Sequence, residues 1–171
     1  MAEGFDGAPN PFWDFSIAVY RHPGIADACI ALQEKLGIDV NVLLYFAWLG
    51  SAHGCTLGAD QIAAVVDYAS GWHDGVVRPL RALRTAMKGD AKGAPAAAAE
   101  RLRAQIKSAE LNAERIEQEM LYAARPKVEG SSATSLEAAR ANIASYFQRL
   151  GVAADSADWA AVESVLRVTT L

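Results

Sequence analysis

Apolar positions follow a helical period along most of the chain, and one segment departs from it. From Val42 to Leu49 every residue is apolar, V-L-L-Y-F-A-W-L, after the polar punctuation of Gly37, Asp39 and Asn41. Such a run fits a buried strand or a helix covered on all sides. No second strand is evident to pair with it, and an unpaired buried strand would leave its backbone groups unsatisfied. The run therefore reads as a helix, capped by Asp39. A helix that is apolar all round belongs at the centre of its domain.

The remaining elements arrange themselves about this one. Pro11 sits at a first helical position behind Asn10 and opens a short helix carrying Phe12, Phe15, Ile17, Val19 and Tyr20, closed by Arg21-His22-Pro23-Gly24. Ile25, Ala28, Cys29, Leu32 and Leu36 share the next helical face, ended by Gly37. Gly50, Gly54 and Gly58 break the chain into a loop. Asp60 is placed to cap a helix with Ile62, Val65, Val66 and Ala69 inside. Gly71 to Gly75, G-W-H-D-G, reads as a second loop. Val76, Leu80, Leu83 and Met87 form a further stripe, with Pro79 either kinking that helix or marking its start.

Gly89 to Pro95 is a linker by composition, and Pro95 opens a long helix to Ala124. Its Leu102, Ile106, Ala109, Ala113, Ile116 and Met120 alternate steps of four and three, a coiled-coil-like seam, and Arg115 and Glu119 are one turn apart for pairing. After a second linker, Thr134 and Glu137 have capping-box spacing, followed by Leu136, Ile143, Phe147 and Leu150. Asp155 caps a last helix with Trp159, Val162 and Leu166. The expected fold is all-α: a single-domain bundle of seven or eight helices around Asp39–Leu49, with a loose tail over 1–10 and linkers near 89–95 and 126–134.

Composition supports one globular domain. The 171 residues are 52% hydrophobic and 21% charged, which is the globular range. No apolar run approaches the roughly 20 residues of a bilayer span. The first ten residues hold two acids and no base, unlike a signal or transit peptide. Cys29 and Cys55 form no framework, so the expectation is a cytoplasmic protein of a reducing compartment.

Charge changes the picture more. Met1 to Asp74 has nine acids against two bases, Gly75 to Lys107 eight bases against two acids, and Ser108 to Leu171 nine acids against six bases. The middle block is a basic island, and Arg78, Arg81, Arg84 and Lys88 recur at helical spacing within it. That band suits an acidic partner or ligand; the ordinary alternative is a solvated face paired with acids of the same chain. It lacks interleaved aromatics in an acidic protein, which argues against nucleic acid.

Candidate chemistry is sparse. His53 and Cys55 share one glycine loop, and Trp72, His73 and Asp74 the next. If the loops met, His53, Cys55, His73 and Asp74 could approach a zinc-type ligand set, or Cys55 could act as a nucleophile with a histidine base. No H-E-x-x-H, phosphate loop, dinucleotide fingerprint or G-x-S-x-G is present, and no cofactor is assigned. Asp39 and Asn41 serve either as a cap or as a polar lip on an apolar pocket.

The stretches F-W-D-F-S-I-A-V-Y (Phe12 to Tyr20), A-C-I-A-L-Q (Ala28 to Gln33), G-I-D-V-N-V-L-L (Gly37 to Leu44), W-L (Trp48-Leu49), P-L-R-A-L-R (Pro79 to Arg84) and A-E-L-N-A-E-R-I-E-Q (Ala109 to Gln118) occur in that order. Together they resemble a family of conserved hypothetical proteins from proteobacteria, a domain of unknown function. The resemblance spans about the first three quarters of the chain and implies a small soluble helical protein. It brings no activity or site residue with it, and the chain after Pro126 reads as an extension beyond it. The leading functional expectation is a non-enzymatic adaptor, docking an unknown protein or acidic ligand through Arg78, Arg81, Arg84 and Lys88 or through the long helix. Self-association through the Leu102–Met120 seam is compatible with it. The alternative is a small-molecule or metal site between the 50–58 and 71–75 loops, made of His53, Cys55, Trp72, His73 and Asp74.

Overall fold

A computed structural model describes residues 9–89, 92–125 and 135–169. Residues 1–8 of the expected 1–10 tail, the linker at 126–134 and the capping role of Thr134 lie outside the described residues. Helices α1 (Pro11–Tyr20), α2 (Ile25–Leu36), α3 (Val40–His53) and α4 (Ala59–Trp72) are followed by a π turn (His73–Val77), then α5 (Arg78–Ala86), α6 (Ala96–Ala123), α7 (Ser135–Leu150) and α8 (Ser156–Val168). Because α4, the π turn and α5 run on without a break, the eight α-helical segments among the described residues form seven rods. The all-α bundle is as the sequence predicts.

Helix α3 is the axis. Every residue from Val40 to Gly50 is buried. Its start is fixed locally, since the Asp39 side chain accepts from the backbone N–H groups of Asn41 and Val42, satisfying donors that have no partner within the helix. Gly37 just before it has φ +67°, a conformation that favours glycine. Near the far end, Gly50 lies so close to α7 that a Cβ there would overlap the Ala139 backbone. Helix α7 thus packs along α3 at backbone contact and buries Ala138, Ala139, Asn142, Ile143, Tyr146 and Phe147. Its expected apolar face was drawn too far out, and Leu136 and Leu150 are each 38% exposed. Asn142 pins the 54–58 loop, accepting from Leu57 N at 2.8 Å and donating to the Cys55 carbonyl at 2.8 Å. Helix α8 closes the end of the bundle, where Lys35 of α2 reaches Asp155 at 2.7 Å and Asp158 at 2.8 Å.

Four further expectations are corrected. Gly50 does not break the chain: α3 runs on to His53, and the expected 50–58 loop spans only 54–58. Gly58, not Asp60, precedes the first turn of α4, and the Gln61 side chain accepts from Gly58 N at 2.9 Å. The segment Gly71–Gly75 is no loop: Arg78 N donates to the His73 carbonyl five residues back. This wide π turn carries the continuous helix into Pro79, which has no N–H to donate and takes the second position of α5; a proline inside a rod forgoes a backbone hydrogen bond and crowds the carbonyl one turn back, and here it follows directly on the break in the α ladder that the π turn makes. The long helix turns a different edge inward. Leu102 is 50% exposed and Ala109 is exposed, while Ile106, Glu110, Ala113, Glu117, Gln118 and Leu121 are buried.

Candidate functional site

The polar centre of the molecule lies where the N-terminus of α3 meets the π turn and α6. Asp39 Oδ1 is occupied with capping, at 2.8 Å from Asn41 N and 3.4 Å from Val42 N. Its Oδ2 turns the other way, to 3.1 Å from His73 Nδ1. The π turn directs His73 and Val77 inward, and from α6 Glu117 Oε1 lies 3.2 Å from the same Nδ1. The second oxygen of Glu117 accepts from Asn41 Nδ2 at 2.6 Å, and Asn41 Oδ1 accepts from Gln118 Nε2 at 2.8 Å. Tyr146 of α7 accepts the Asp39 N–H at 3.0 Å. The two carboxylates are thus held on their outer sides.

Their inner atoms are different. Asp39 Oδ2, His73 Nδ1 and Glu117 Oε1 are buried and face one another: both oxygens sit at ion-pair distance from the one nitrogen, without hydrogen-bond alignment to it. Burial alone would lower the His73 pKa, but the Asp39 and Glu117 carboxylates outweigh it and raise it. Burial raises the Glu117 carboxyl. Glu117 is 0% exposed.

Beside this group runs an ion-pair ladder between α5 and α6. Arg81 Nε donates to Glu110 Oε1 at 2.9 Å, and its other nitrogens reach Glu114 and Gln33. Arg84 donates through Nε to Glu110 Oε2 and through Nη2 to Oε1 at 3.2 Å. Against burial, these guanidinium groups hold the Glu110 carboxyl low, whereas burial pushes Glu114 up. The ladder forms one wall of a cavity of about 630 Å³. Trp13, Ile17, Tyr20, Cys29 and Ile30 of α1 and α2 form the opposite wall, and Asp39, Asn41 and Gln118 line it from the polar centre. Burial pushes the Cys29 thiol up to about 11.

The residues singled out from sequence are dispersed. His53 and Cys55 lie at the C-terminal end of α3, where the His53 ring meets Trp48 edge-on at a centroid distance of 4.7 Å. His73 packs at the other end, beside Asp39. Fourteen residues of helix put roughly 20 Å between those ends, so the two glycine segments do not share a site. Asp74 points outward to Arg78 at 3.0 Å, and Trp72 donates from Nε1 to the Ala113 carbonyl at 2.9 Å, anchoring α4 on α6. Of the basic band, Arg78 and Lys88 are exposed while Arg81 and Arg84 are turned inward. Asp39 and Asn41 are cap and cavity wall together.

Glu110, Glu114, Glu117 and Gln118 were not foreseen. Their signal was available: Ile106, Glu110, Ala113 and Glu117 repeat by four, three and four, the same rhythm as the apolar seam but one position over. Charged residues are almost never fully buried unless paired, which favours the apolar reading of that rhythm, and the arginines that pair with Glu110 stand on the preceding helix, 29 and 26 residues earlier.

No curated protein and no solved structure matches this chain. Residues 11–121, which include Asp39, His73, Glu117 and the Arg81–Glu110 ladder, match the family described as a protein of unknown function, DUF2390, and the chain belongs to that family.

Proposed function

We propose that this protein binds a small molecule in the cavity between α1, α2, α5 and α6. The observation that carries the reading is the cavity itself: about 630 Å³, with aromatic and aliphatic side chains of α1 and α2 facing charged and amide groups of α5 and α6, a size within the range typical of ligand pockets. Gln118 Oε1, on that polar side, is a buried acceptor without a hydrogen bond. A ligand with an apolar body against Trp13, Ile17, Ile30 and Leu111 and a hydrogen-bonding head towards Asn41, Arg81 and Gln118 fits this division.

The test is native mass spectrometry of the purified full chain, with a thermal-shift panel of amphiphilic metabolites. The expected hit raises the melting temperature and is lost in Ile30→Trp, which narrows the cavity at a half-exposed wall position. A hit that Ile30→Trp leaves untouched, or a panel and a native spectrum without any ligand, overturns the reading.

The docking alternative is weaker on the same geometry. A partner approaching the α5 face would meet Arg81 and Arg84 already paired with Glu110 and Glu114, and Arg78 paired with Asp74. Self-association through α6 has one specific support: Leu102 of the seam is 50% exposed. Sedimentation of Leu102→Glu against the unaltered chain distinguishes it, and identical monomeric profiles would dismiss it.

A further inference from the structure

The buried meeting point of Asp39, His73 and Glu117 asks for a separate explanation, independent of any cavity ligand. Each side chain arrives from a different element: Asp39 from the α3 cap, His73 from the π turn, Glu117 from α6. Each presents a ligand-type atom to one locus, and the three atoms lie within 4.8 Å of one another. Buried polar atoms are normally hydrogen-bonded, and each that is not needs a reason. Here three such atoms converge, and one belongs to a side chain that is 0% exposed.

We infer that Asp39 Oδ2, His73 Nδ1 and Glu117 Oε1 form a binding site for a divalent first-row transition metal such as Zn²⁺, Co²⁺, Fe²⁺ or Mn²⁺. The spacing fits. Metal–ligand bonds of about 2.1 Å, at tetrahedral to octahedral angles, put neighbouring donor atoms about 3.0–3.4 Å apart; the histidine nitrogen lies 3.1 Å and 3.2 Å from the two oxygens. The charge fits as well. Two carboxylates and a neutral imidazole sum to −2, which a divalent ion cancels. The donor set selects the class: imidazole with carboxylates suits Zn²⁺, Fe²⁺ and Mn²⁺, and without thiolate or thioether it does not favour Cu⁺.

The surroundings are those of a ligand set held from behind. Glu117 is oriented through Asn41 and Gln118, and the second oxygen of Asp39 is fixed by the α3 amides. Such outer contacts orient metal ligands and tune affinity. Single π turns inserted in α-helices are frequent at functional sites, and this one supplies the histidine. A three-ligand set leaves a coordination position for water or a small ligand, and Asp39 itself borders the cavity.

The test uses the full chain stripped with EDTA and titrated with Co²⁺ alone, followed by calorimetry and visible absorption, with a parallel Zn²⁺ titration. A single 1:1 site is expected for at least one of the two, with a rise in melting temperature. The His22→Ala/His53→Ala variant, which removes the other two histidines, should retain it. Glu117→Gln and His73→Asn should weaken binding on the order of 100-fold or more, and Asn41→Ala about 10–100-fold. Glu100→Gln, in the exposed first turns of α6, should bind as the unaltered chain does. Folded, unaltered protein that takes up neither ion stoichiometrically overturns the inference, as does binding lost in the His22/His53 variant. Should Glu117→Gln fail to fold, those two measurements still decide.

Discussion

At the scale of single residues, the most consequential position carries no side chain. Gly50 lets α3 and α7 meet at backbone contact, and a Cβ would collide with Ala139 main-chain atoms that cannot move aside alone. Gly50→Val should therefore cost about 2–3 kcal/mol, the upper range for overpacking a core, measured as a lowered urea midpoint at unchanged slope. Asn142 is the polar counterpart. Truncating it strands Leu57 N and the Cys55 carbonyl in the interior, and Asn142→Ala should cost about 1–3 kcal/mol for the groups left unsatisfied. Cys29 is the quiet residue of the cavity wall. It is 1% exposed, and with its thiol pushed up to about 11 by burial little thiolate exists near neutrality. Alkylation of the folded protein at pH 8 should leave Cys29 unmodified, with full reaction after denaturation, as read by peptide mass spectrometry.

Elements add what residues cannot. The π turn inserts one residue's worth of backbone between α4 and α5, and so decides which face of α5 meets α6. In the apolar reading, Leu83 belonged inside and the arginines outside; in the structure Leu83 is 51% exposed and Arg81 and Arg84 reach Glu110. Deleting Gly75 would restore α geometry and turn α5 by about 100° relative to α4. The deletion should separate both arginines from Glu110 and lower the melting temperature by several degrees, and an unchanged melting curve would deny the π turn this role. At the other end, α2 and α8 are joined through Lys35 and Asp155. Chiefly through its contact with Lys35, the Asp155 carboxyl is held low, at about 2. A depressed carboxyl stabilises the fold above its unfolded value and loses that contribution as pH falls through the folded one. Lys35→Met should therefore remove a pH-dependent increment present at neutrality and fading from about pH 4 towards pH 2. Thermal melts of the two proteins across that interval should converge.

For the whole molecule, the family match and the packing do not share a boundary. The match ends at Leu121, yet α7 lies along the central helix and supplies Tyr146 to Asp39 and Asn142 to the 54–58 loop. A chain cut after Arg125 would expose the α7-facing side of the most apolar helix. It should aggregate or lose its cooperative transition, which light scattering and calorimetry would show. A soluble fragment with a sharp melt would mean that residues 9–125 fold by themselves.

The sequence by itself determined the helices, their caps at Asn10, Asp39 and Asp155, and the central place of α3. Those features are local: a cap is read within three residues, and a segment that is apolar on every face has only the interior to occupy. It also marked Asp39, Asn41 and His73 as chemically notable, without the partner that joins them. Only the tertiary structure decided the site. A π turn hides in a sequence that looks like a loop, because widening a helix by one residue leaves no periodic trace over five positions. Glu117 passes for a solvated acid until Asn41 and His73, 76 and 44 residues earlier in the chain, are brought against it. Burial of a charge is settled by what surrounds it in space, and that is information no local pattern holds.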